Sequence, residues 1–181
     1  IGMVGPRPEP FETCAFNEVA MINQFNQRLI PISVADIFNS ANSLGDKDPE
    51  VQNIIKEIEA QADVTRIKRR SLVKIAKLEV TLKRFAEEKK ISAMAVQCWE
   101  AMQKVYGISS CLAMGRLTDQ GILASCEVDV YGALTMLIQY LASLKISPPH
   151  FIDWTIQHQE KENVFLAWHC GNAPPSLACK G

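Results

Sequence analysis

Three acids stand where a chain could do chemistry. Glu127 and Asp129 lie between a short apolar run, Ile122–Cys126, and a long apolar stretch, Val130–Ser143. Glu100 directly follows a second apolar run, Ile91–Trp99. If the runs are buried strands and the long stretch is a helix, all three acids sit beyond the carboxyl ends of strands, where open α/β sheets bind ligands. Two acids two residues apart face one side while the chain is extended. A helix N-terminus beside them helps to keep them ionised. That combination suits a divalent cation or a proton relay. The structural alternative has even weight: Asp129 as a helix N-cap and Glu127 as a solvated loop acid. Glu100 equally fits the first turn of a following helix.

The elements that must position these acids follow from hydrophobic periodicity and breakers. Ile1–Gly5 is apolar, flanked by glycine and followed by Pro6, Pro8 and Pro10, so it reads as a buried strand leading into a loop. Helical spacing of apolar residues predicts helices over Asn17–Arg28, ended by Pro31, over Ser33–Ser43, and from Asp48-Pro49 to near Asp63. Arg66–Lys90 is a longer helix. Its stripe of Leu72, Ile75, Leu78, Leu82 and Phe85 lies opposite a charged face that opens basic and then takes in Glu79, Glu87 and Glu88. No aromatic side chains are interleaved with the basic residues, so a solvated face is the expected reading, not a nucleic-acid surface. Ser109–Leu117 is helical, and Arg116, Thr118 and Asp119 form a polar group before Gly121. His150–His158 and Val164–Trp168 read as strands of a hairpin whose tip is Glu160–Asn163. Of three histidines, His169 stands out, at the end of a buried strand and two residues before Gly171.

The chain has 181 residues, 48% of them hydrophobic and 22% charged, which suits a globular core of one domain or one with an appendage. A formal net charge of −1 gives no reason to expect a nucleic acid or a membrane as partner. No apolar run reaches bilayer-spanning length. The six cysteines form no C-x-x-C pair and no secretory signal opens the chain, so reduced thiols in a cytoplasmic protein are expected. A G-x-G-x-x-G fingerprint and a Walker lysine are both absent, which leaves a nucleotide site weakly supported. The chain opens on Ile1 and stops in a Pro-rich loop, as a segment of a longer polypeptide would.

Four blocks together carry a family resemblance: Ser92–Glu100 (SAMAVQCWE), Gly115–Ile122 (GRLTDQGI), Cys126–Thr135 (CEVDVYGALT) and Ala167–Asn172 (AWHCGN). In order and context they resemble the L-fucose/L-arabinose isomerase superfamily, most of all its fucose isomerase-related sugar isomerases. The resemblance implies aldose-ketose interconversion through an ene-diol, with a divalent metal, usually Mn2+, beside paired carboxylates. It implies Glu100 and Asp129 as metal ligands and proton carriers, and Glu127, Arg116, His169 and Asn172 as substrate-binding residues. Such chemistry needs a base that takes a proton next to the carbonyl and returns it to the neighbouring carbon. Hard oxygen donors suit the cation. The family's additional histidine ligand and its N- and C-terminal parts find no match here, and its members are homo-oligomers with shared active sites.

The expected fold is therefore a three-layer α/β sandwich with a mostly parallel sheet and helices on both faces. Residues 1–90 would form a helix-rich part with one short strand, and residues 91–181 the part carrying the acidic edge. The expected function is a segment of a metal-dependent sugar isomerase acting on a small-molecule sugar. Two alternatives remain: a non-catalytic α/β domain binding a sugar or nucleotide, and a structural segment with a large exposed apolar surface.

Overall fold

The computed structural model describes residues 1–178. Its centre is a four-stranded parallel sheet of β1 (Gly2–Gly5), β2 (Ile30–Ser33), β3 (Ala93–Val96) and β4 (Leu123–Ser125), in the order β2-β1-β3-β4. In β3 alternate residues serve opposite faces. Met94 and Val96 enter one apolar cluster, and Ala93 and Ala95 enter the other. A strand buried on both sides has to be apolar throughout, as this one is.

The first cluster is covered by α2 (Val34–Ser43), α4 (Arg69–Lys89) and α5 (Cys111–Asp119). The second is covered by α1 (Glu18–Phe25) and α6 (Val130–Ala142). Helices thus lie on both faces, and the architecture is the expected three-layer sandwich. The helix α3 (Pro49–Gln61) adds an outer tier. It lays Val51, Ile54, Ile55 and Ile58 against Leu72, Ala76 and Val80 of α4. Asp48 caps α3 by accepting from the Glu50 amide at 2.9 Å, with Pro49 at the first helical position.

Two readings change. Pro31 does not stand as a breaker after a helix but lies inside β2. The strand is at the sheet's edge, and the Ile30 amide points to β1, donating to the Ile1 carbonyl at 2.9 Å. The next residue's amide position points away from the sheet, so proline there loses no ladder bond. Glu79 was placed with the solvated acids of α4, yet it is fully buried. Packing on both sides makes α4 an interior helix, and its polar residues need partners.

The last two strands, β5 (Asp153–Gln157) and β6 (Phe165–Trp168), form the expected antiparallel hairpin, separate from the main sheet. Every residue of both strands is exposed, including Trp154, Ile156, Leu166 and Trp168. Beyond it, Asn172 is fully buried and donates through Nδ2 to the Ala124 carbonyl, while Asp119 holds the Ser176 amide at 3.0 Å. This segment lies along α5 and covers the outer edge of β4, a position that sheets seldom leave bare. Gly115 permits the approach, because a Cβ there would collide with the Ala173 carbonyl. Gly115→Ala is therefore expected to destabilise the fold by about 1–3 kcal/mol in urea titrations, as overpacking does. An unchanged midpoint would show the segment to be free to move aside.

Among the described residues no helix is long and apolar enough to cross a membrane. Cys179, counted among the reduced thiols, lies outside the described residues.

Candidate active site

The strand order reverses between β1 and β3: from β1 the chain moves first to β2 on one side and later to β3 on the other. In open parallel sheets the crevice at such a reversal, beyond the carboxyl ends, is where ligands bind. Here the loop after β1 carries Arg7, Glu9, Glu12 and Cys14. The segment after β3 carries Cys98, Trp99 and Glu100, and that after β4 carries Cys126, Glu127 and Asp129. Phe11 and Trp99 meet edge to face with ring centroids 6.4 Å apart, joining the first two of these segments.

The backbone at this rim is unusual. Glu100, Glu127 and Val128 have φ values of 60°, 61° and 57°. The left-handed region is rare for non-glycine residues and most costly for a β-branched one such as Val128. Val128 is held there by full burial and by an amide bond to the Val96 carbonyl at 3.2 Å. The turn leaves Glu127 half-buried as the chain enters α6.

Asp129 occupies the N-cap of α6, its Oδ1 accepting from the Gly132 amide at 2.8 Å. The cap reading of Asp129 is thus realised, and it leaves Oδ2 outside that bond. Gly132 is fixed by the same geometry. A Cβ there would lie 2.5 Å from Phe151 Cε2 and 2.6 Å from Asp129 Oδ2. Glu100 is exposed and pairs with Lys104 across one helical turn at 3.0 Å. It follows β3, the strand next to β4, so both acids belong to adjacent strand ends.

His169 closes the group. Its side chain is only 3% exposed, with Nδ1 2.9 Å from Asp153 Oδ2 and its ring edge-on to Phe151 at 5.2 Å between centroids. Nε2 is buried without a hydrogen-bond partner, close to Gly171. Burial pushes the Glu127 carboxyl above the ordinary glutamate range, His169 opposes this, and Asp153 and Asp129 add to it. The Cys14 thiol is pushed up to about 11 by burial first, then by Asp129 and Glu127. Phe151 packs against both Gly132, beside the Asp129 cap, and the His169 ring, so Asp129, Asp153 and His169 share one neighbourhood.

Arg116 and Asn172 are not brought to it. The Arg116 side chain is 5% exposed, with Nε 2.8 Å from Glu79, Nη2 2.6 Å from Glu57 and Nη1 2.7 Å from Gln61. It ties α5 to α3 and α4 and has no free nitrogen for a sugar. Asn172 gives its Nδ2 to the β4 edge, while its Oδ1 is buried without a hydrogen-bond partner. Both were expected to bind substrate, and in this structure both hold the scaffold. Sequence reasoning passed over Asp153, the partner of His169. The hairpin register pairs Asp153 with Trp168, next to His169 in the chain, and no local motif reveals that pairing.

Glu100 and Asp129 are hard oxygen donors of the kind Mn2+ takes, but they supply only two, one of them already engaged in capping. Among the described residues no three His, Cys, Asp or Glu side chains converge to hold a metal ion. The residues present do not by themselves fit a bound cation.

No protein-family model matches the chain. It is similar to proteins named sulfoquinovose isomerase: 25% identical to that of Alkalicoccus urumqiensis and 28% to that of Priestia aryabhattai, in each case over 98% of this chain. A stretch covering 49% of the chain is 38% identical to the sulfoquinovose isomerase of Clostridium sp. (strain MSTE9), 19% of that protein. The chain spans about two fifths of the length of the first two relatives (39%), so it is similar to one portion of a larger sugar isomerase.

Proposed function

We propose that this chain is a portion of an aldose-ketose isomerase acting on sulfoquinovose or a related aldose through an ene-diol. The observation that carries the reading is the gathering of Glu127, Asp129 and His169 at the carboxyl rim of a parallel sheet, beside the strand end that bears Glu100. The similarity to sulfoquinovose isomerases over nearly the whole chain supports it.

In this reading Asp129 and Glu100 take and return the proton between the two carbons. Such a transfer needs a carboxylate within reach of the carbon-bound proton when the sugar binds. Glu127, half-buried beside them, is placed to hydrogen-bond a sugar oxygen. His169, its Nδ1 engaged with Asp153, leaves Nε2 without a partner and so open to a sugar hydroxyl. A divalent cation, Mn2+ above all, would need ligands beyond Glu100 and Asp129 to be held at this rim. A homo-oligomer and a cytoplasmic setting belong to the same reading.

The test is proton exchange. Incubated with sulfoquinovose in 2H2O, the protein should place deuterium on the carbon next to the carbonyl, read by proton NMR. Sugar that binds but never exchanges above the protein-free rate would discard the isomerase reading. It would favour the binding-domain alternative, in which Asp129 is a cap and Glu100 an exposed partner of Lys104.

A further inference from the structure

Gln97 stands between the ends of β1 and β4 and has no part in the chemistry described above. It directly follows β3, and its amide donates to the Val4 carbonyl of β1 at 2.8 Å. The residues on either side of it are tied to the turn after β4. The Val96 carbonyl accepts from the Val128 amide at 3.2 Å, and Cys98 Sγ accepts from the Glu127 amide at 3.3 Å. Val96 and Cys98 both enter the first apolar cluster, so Gln97 between them faces the other side of the sheet, where α6 begins after Asp129. The loop after β1 forms the opposite wall. A Cβ on Gly5 would lie 3.9 Å from Val128 Cγ1 and 3.5 Å from the Arg7 amide nitrogen, and the Asn17 amide donates to the Tyr131 hydroxyl at 3.0 Å. At this place Gln97 Oε1 is buried without a hydrogen-bond partner, although the residue as a whole is only half-buried. A buried acceptor left unpaired weakens a fold, and native proteins keep few of them.

We propose that Gln97 is a sugar-binding residue, whose Oε1 accepts a hydrogen bond from a substrate hydroxyl and so sets the sugar's position against Glu127 and Asp129. The proposal rests on the reading of this rim as the sugar site. The half-buried side chain needs only a turn of its terminal torsion, which has no sharp rotamer, to bring the oxygen to a hydroxyl. The bound sugar then supplies the donor that the protein does not. A sugar without that hydroxyl leaves the acceptor unpaired, so Gln97 also discriminates between sugars.

Gln97→Met tests it, because methionine matches glutamine in length and offers only a weak acceptor. Two quantities should then part company. The urea midpoint of the sugar-free protein should stay level or rise, since an unpaired buried atom is removed. The Kd for sulfoquinovose, by titration calorimetry, should rise by about 5–100-fold, the range for a hydrogen-bonding group left without its partner. A lowered midpoint would overturn the proposal, because the amide would then be holding the scaffold. An unchanged Kd would overturn it as well. Deuterium exchange into the sugar, followed on the same samples, keeps two failures apart. Binding without exchange in the unsubstituted protein, weakened in the variant, discards the isomerase and keeps Gln97 as a sugar ligand. Exchange with the same Kd in both proteins discards Gln97 and keeps the isomerase. Sulfoquinovose that the unsubstituted protein does not bind removes the sugar site and the role of Gln97 with it.

Discussion

Replacing Arg116 with methionine is expected to cost the fold about 3–5 kcal/mol, the range for stripping one partner from a buried ion pair. Arg116 and Glu79 are 5% and 1% exposed at the side chain and 2.8 Å apart. With Arg116 gone, only Gln120, donating at 3.1 Å, remains to Glu79. Burial already holds the Glu79 carboxyl above its usual range despite the arginine. Without the arginine it moves further up. The sign follows: an acid raised in the folded state binds its proton more tightly there than in the unfolded chain. Stability is therefore lost as pH rises from the ordinary glutamate value through the raised one. The variant's deficit should be smaller in urea titrations near about pH 5 than near about pH 8. An equal deficit at both would mean that Glu79 finds another partner. Replacing Glu79 by leucine in the same molecule should restore much of the loss, since an apolar pair of similar volume is often as stable as the ion pair.

The second large effect concerns Asp129. Asparagine caps helices as well as aspartate, so Asp129→Asn keeps the bond to the Gly132 amide and removes only the charge. Its stability should change by less than about 1 kcal/mol, the loss of one anion at a helix N-terminus. If Asp129 carries the proton, deuterium exchange into the sugar should fall by about 10²–10⁴-fold. A Mn2+ titration of the same variant should weaken if the carboxylate is a ligand. Full exchange with an intact fold would reduce Asp129 to its capping role and remove it from the chemistry. Because the substitution spares the cap, the two roles of this one residue separate cleanly.

Much of this architecture is legible in the chain because local pattern and tertiary demand agree. The unbroken apolar run of β3, the Asp48-Pro49 start of α3 and the apolar length of α6 each point to one element. The rim acids were found the same way, as acids directly after apolar runs. What local pattern does not hold is direction. Arg116 looked available because its neighbours are polar, but its guanidinium turns inward to Glu79, Glu57 and Gln61. Glu79 itself gave a usable signal: it stands seven residues after Leu72 and three before Leu82, on the apolar stripe of α4. An acid on that stripe must be buried and must have a cation. Pro31 misled for a complementary reason, since only the strand order tells that β2 is an edge. Asp153 and His169 meet through a hairpin register that no residue spacing encodes.

The hairpin of β5 and β6 carries a consequence for how the whole chain behaves. Trp154 and Phe165 stack with centroids 4.2 Å apart while both remain open to water, as do Ile156, Leu166 and Trp168. A two-stranded ribbon is barely stable alone. Anything that shields these rings favours the folded ribbon by mass action, in proportion to its concentration over its dissociation constant. The ribbon also supplies both Asp153 and His169, so the occupancy of its outer faces and the arrangement of the rim beside Glu127 and Asp129 are thermodynamically linked.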